Sequence, residues 1–137
     1  MNRRPTSVRV IFGVAVVAFV AGALTLDAQP AKPDYKRYAE FAPEDTQSRI
    51  AVKRAYNEAA QSYNQALYDY YVTLEKHDRL VEVHANSSVD AAERKRARDQ
   101  AQTLRVKLAD LGRLVTTRAA TVDQASRRAA ELGVSTP

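Results

Sequence analysis

From Tyr56 to His84 the chain reads YNEAAQSYNQALYDYYVTLEKHDRLVEVH. Taken at alternating steps of four and three, this stretch puts Tyr56, Ala60, Tyr63, Leu67, Tyr70, Leu74, His77, Val81 and His84 on one stripe, the seam of a coiled-coil helix. After a polar break at Ala85-Asn86-Ser87-Ser88 the same steps recur. They select Ala97, Ala101, Leu104, Leu108, Leu111, Val115, Arg118, Val122, Ala125, Ala129 and Leu132, with Arg118 the only charged member. Two matched stripes about one short break predict a long antiparallel two-helix coiled-coil hairpin over residues 44–133.

Charge supports the pairing. Residues 43–86 carry five basic and seven acidic side chains and residues 87–137 carry ten and six, so a net negative arm faces a net positive one. No Gly or Pro interrupts the chain from Glu44 to Ala85, an arm on the order of 60 Å at 1.5 Å per residue. Pro43, Glu44 and Asp45 suit the start of that arm, and Ser87 with Asp90 three residues later is the expected cap of the return arm. Gly133 is the expected stop, with residues 134–137 a disordered tail.

Folding the chain about residue 87 gives specific neighbours. Tyr63 is expected between Leu108 and Leu111, Gly112 opposite Ser62 and near Ala59 and Ala66, and Arg118 stacked near Tyr56.

Upstream, Arg3, Arg4 and Arg9 precede a 17-residue run without charge, Val10 to Leu26. Basic residues before an apolar run hold that end in the cytoplasm and place the downstream chain outside. Residues 1–26 are therefore read as a hydrophobic helix that is either a signal-anchor or a signal peptide. The run is short for a bilayer core of about 30 Å, yet continues past the small-x-small site Ala21-Gly22-Ala23, and a weaker site ends at Ala28. The expected location is a bacterial-type inner or plasma membrane with the hairpin extracytoplasmic; after cleavage it would be periplasmic or secreted.

Residues 27–43 form a linker with Pro30, Pro33 and Pro43, which disfavour a continuous helix. Within it Tyr35, Tyr38 and Phe41 recur every third residue beside Lys36 and Arg37. One or two helical turns would put the three rings on one side, either at the headgroup level of a membrane or packed on the base of the hairpin.

The rest of the sequence bounds the chemistry. There is no cysteine, hence no disulfide or thiol chemistry, and no Gly-rich phosphate loop, nucleophile elbow or paired-histidine zinc motif. An enzyme is not expected, nor a cofactor. His77 and His84 invite a metal reading, but a heptad separates them by about 10 Å, too far for ligands at about 2 Å from one ion. Of the seven tyrosines, Tyr56, Tyr63 and Tyr70 fall one per heptad and read as seam residues whose hydroxyls reach the edge.

Apolar residues off the seam are more informative. Tyr68, Tyr71, Val72, Leu80, Val83 and Leu114 lie outside a two-helix contact, and two helices alone bury little per residue. Self-association into a larger bundle, or docking on a membrane protein complex, is the expectation. Arg94, Lys95, Arg96 and Arg98 form a basic cluster just after the turn. In an exported protein that cluster points to headgroups, wall polymers or acidic partners instead of nucleic acid. Asp90, Glu93 and Asp99 beside it give the alternative of a solvated helix face.

The sequence thus describes an all-α, non-enzymatic, membrane-tethered hairpin that works through protein–protein contacts as a structural or accessory subunit. Its rival is a cleaved, secreted or periplasmic binding or chaperone-like protein.

Overall fold

The structure is a computed structural model that describes residues 33–137. These are all-α: helix α1 spans Gln47–Ala85, helix α2 spans Ala91–Glu131, and the two pack against each other. The expected hydrophobic helix over residues 1–26, with its alternative cleavage sites, and linker residues 27–32 lie outside the described residues. No helix among the described residues is long and apolar enough to cross a membrane.

Both arms begin later than their first candidate caps. Pro43 and Glu44 belong to a turn in which the Asp45 N–H donates to the Ala42 carbonyl at 3.0 Å. The Asp45 carboxylate closes this turn by accepting from the Ala42 N–H at 2.8 Å and from the Lys53 ammonium at 2.6 Å. Thr46 then caps α1. At the far end the Asn86 carboxamide oxygen accepts from the N–H and hydroxyl of Ser88, which uses Ser88 inside the bend. The cap of α2 is Asp90, not Ser87: its carboxylate accepts the Ala92 N–H at 2.9 Å.

α2 stops at Gly133, whose φ of +65° is open to glycine at no steric cost. Gly133 N–H donates to Ala130 and Val134 N–H to Ala129, the paired bonds of a Schellman ending. The tail expected to fray after it does not. Val134 is buried, the Tyr56 hydroxyl donates to the Pro137 main-chain oxygen at 3.0 Å, and the Thr136 and Ser126 hydroxyls bond at 2.5 Å. The Schellman turn aims the chain back at the hairpin, and the apolar Val134 holds it there.

The core is built largely from small side chains. Tyr56, Ala59, Ala60 and Val122 form its centre, with Tyr63 and Ala125 packed against it. Ala66, Leu67, Thr73, Ala97, Ala101 and Ala129 are also buried along the arms. Alanines let two backbones approach closely, but a seam of alanines buries little apolar area. The linker residue Ala39 completes the cluster around Tyr56, so the base of the hairpin has three elements instead of two.

Two details of the expected register are corrected. A Cβ on Gly112 would meet the Tyr70 ring at 3.8 Å, not Ser62. Arg118 is exposed and shares a groove with Glu58, Ser62 and Gln65 instead of stacking on Tyr56, which is enclosed by alanines and Val122. Gly112 and Arg118 thus meet α1 residues nearer the tip than a fold about residue 87 requires. The connection Asn86–Asp90 centres the bend on residue 88, which supplies part of that shift. Val81, His84 and Leu132, at the ends of the stripes, are exposed.

Candidate interaction surface

The feature that organises the surface is the segment from Pro33 to Ala42, which is not helical. It lies along α1 as an extended strap, running antiparallel to it. The Asn64 carboxamide accepts from the Lys36 N–H at 2.7 Å and donates to the Lys36 carbonyl at 2.9 Å. Asn57 does the same to Ala39, at 2.7 and 3.0 Å. One heptad of helix rises about 10.5 Å, and three residues of extended chain span about 10 Å. The two rungs therefore fall in step.

Holding every third residue orients the others. Lys36, Ala39 and Ala42 are half-buried or buried, the three-residue period of an extended, polyproline-like chain. Tyr35, Tyr38 and Phe41 share the same period in the alternate phase and are 42, 51 and 53% exposed. The expected helical turns are absent, and the three-residue period of an extended chain keeps the rings in one phase, each about half exposed. The Lys36 ammonium lies over the Tyr63 ring, 5.8 Å from its centroid, which fixes the inner edge of the strap. Tyr38 and Arg37 also border an open groove of about 740 Å³ against Ser135–Pro137.

Of the apolar residues predicted off the seam, Tyr68, Val72 and Leu114 are exposed, while Tyr71 and Leu80 are half-buried. Tyr71 stands edge-on to Tyr70 with centroids 5.7 Å apart. Leu114 borders an open groove of about 440 Å³ with Ser62, Gln65, Asp69 and Arg118. Leu80 and Leu104 border a second, about 460 Å³, with Lys76 and Arg79. Ser62 and Asp69 each follow a strap-holding asparagine by five residues, about 140° around the helix. The groove at Leu114 and the strap thus occupy different faces of α1.

At the tip the basic residues follow the turn on the first turns of α2. Lys95, Arg96 and Arg98 are exposed, Lys95 lies 3.7 Å from Asp99, and Arg94 is half-buried with its Nε unpartnered. His77 Nδ1 lies 3.0 Å from the Asp78 carboxylate, and His84 is exposed. Among the described residues no three His, Asp or Glu side chains are grouped to hold a metal ion. The base holds a half-buried ion pair, Asp45 with Lys53 at 2.6 Å. The Ala42 N–H and then the Lys53 ammonium hold the Asp45 carboxyl below its ordinary range, with burial opposing them.

Asn57 and Asn64 were not among the residues singled out from sequence. The usable signal was the pair of asparagines one heptad apart inside an uninterrupted helix, where Asn is a poor helix former and needs a reason. Comparison with protein-family models, with curated proteins and with solved structures returns no match.

Proposed function

We propose that this chain is a non-enzymatic, membrane-tethered hairpin that stands on the extracytoplasmic side and serves as a structural or accessory subunit. The observation that carries the reading is Arg3, Arg4 and Arg9 ahead of the uncharged run 10–26, followed by a narrow hairpin with an open, largely apolar groove at Leu80 and Leu104 and exposed Val72 and Leu114. Val72, Leu80 and Leu114 are the contact residues for a partner protein or a second copy. The test is the native mass of the full chain after mild detergent extraction. A complex larger than one chain supports the reading, and a chain that always runs alone as a monomer overturns it.

A second reading rests on the small-x-small site Ala21-Gly22-Ala23. In it the chain is cleaved and acts as a secreted or periplasmic binding protein through the face that carries Lys95, Arg96 and Arg98. Intact mass of the protein isolated from its own membranes separates the two, since loss of residues 1–23 or 1–28 removes the tether.

A further inference from the structure

The structure leaves about half of each of three aromatic rings exposed along the strap, apolar surface that an unrestrained linker would bury further by collapsing. Four hydrogen bonds from Asn57 and Asn64 prevent that collapse. They grip only main chain, so they preserve the extended shape and the outward row it produces. From Tyr35 to Phe41 that row is about 19 Å long at 3.1 Å per residue. Tyr68, one helical turn beyond Asn64 on α1, adds an exposed ring near its upstream end.

We infer that the strap is a bilayer-contacting edge: Tyr35, Tyr38 and Phe41 seat in the lipid headgroup layer, and the base half of the hairpin lies along the membrane. The inference rests on the tethered reading above. Leu26, the end of the uncharged run, is nine residues from Tyr35, a reach of at most about 30 Å. Rings with an apolar body and a polar tip are favoured at the membrane–water boundary. Because the strap runs along α1, a row at constant depth sets the helix axis near the plane of the bilayer. Ser62 and Asp69, about 140° around α1 from the rungs, then turn their groove away from lipid and towards a protein partner.

The chain has no tryptophan, so a single introduced one reports alone. Full-length Tyr38→Trp, Phe41→Trp, Tyr68→Trp and Gln65→Trp variants are reconstituted in phosphatidylcholine–phosphatidylglycerol vesicles carrying acyl chains brominated at graded depths. All four positions are exposed, and circular dichroism verifies the helices. The expected result is a blue-shifted emission at positions 38 and 41 with quenching several-fold above that at position 65, strongest for shallow bromines. Adding Asn57→Ala and Asn64→Ala should leave quenching at 38 and abolish it at 68, because the rungs couple the hairpin to the strap. A chain that floats with the vesicles yet shows equal quenching at 38 and 65 overturns the inference while leaving the tether intact. Protection of the Tyr38→Trp indole from aqueous acrylamide without bromine quenching also overturns it, in favour of a protein on the row. Failure to float with vesicles at all overturns the tethered reading and the inference with it.

Discussion

Asn64 grips the main chain of Lys36 with both ends of its carboxamide, and Asn57 repeats the grip on Ala39 one heptad earlier. The helix thereby recognises a conformation. The two bonds ask only for a main-chain N–H and C=O at position 36, which excludes proline, and the Lys36 ammonium over Tyr63 adds a side-chain contact.

Asn57→Ala and Asn64→Ala each remove two hydrogen bonds of about 0.5–1.5 kcal/mol, so each is expected to cost about 1–3 kcal/mol. Asn57→Ala should cost more, because Ala39 is buried against Tyr56 and leaves the core with the strap. The double variant should cost less than the sum, since the first loss already frees one end. Urea unfolding measures the cost, and faster amide exchange at Lys36 and Ala39 locates it.

Tyr56 is the one large side chain that is fully enclosed among the described residues. Tyr56→Ala should destabilise by about 3–5 kcal/mol, the range for removing a buried ring. Tyr56→Phe keeps the ring and loses only the bond to Pro137, about 0.5–1.5 kcal/mol. Thermal melts of the pair that differ little would show the tail contact, not the ring, to be the stabilising part.

Asp45 makes the base acid-sensitive. Its carboxyl is held below the ordinary value of 3.8 by the Ala42 N–H and Lys53, so the unfolded chain takes up the proton first. The stabilisation is complete above that ordinary value and is lost as pH falls from it through the lower folded value. Asp45→Asn should lower the melting temperature near neutral pH and flatten its decline below about pH 4. An unchanged acid limb in Asp45→Asn would remove Asp45 from this role.

The two described glycines of the hairpin should respond oppositely to alanine. At Gly112 a Cβ meets only the Tyr70 ring edge at 3.8 Å, an ordinary contact, so Gly112→Ala should gain up to about 1 kcal/mol of helix propensity. At Gly133 the φ of +65° makes Gly133→Ala unfavourable by about 1–2 kcal/mol and should loosen Val134. Paired denaturation curves decide both signs.

The two arms, their mutual packing, the bend near residue 87 and the stop at Gly133 were all legible in the residue order, because heptad spacing and glycine chemistry are local and periodic. So was the position of Tyr68, Val72 and Leu114 outside the seam, since helical phase follows from residue number alone. The stagger of the arms, the return of Val134–Pro137 and the docking of residues 33–42 emerged only with the folded chain. Those depend on contacts between residues 18 to 84 positions apart, as with Asn57 and Ala39 or Arg49 and Gly133, which no local pattern encodes. The rings at 35, 38 and 41 mark the boundary. Their common period was legible, but a three-residue period suits both a tight helix and an extended chain, and the rungs on Asn57 and Asn64 made it the latter.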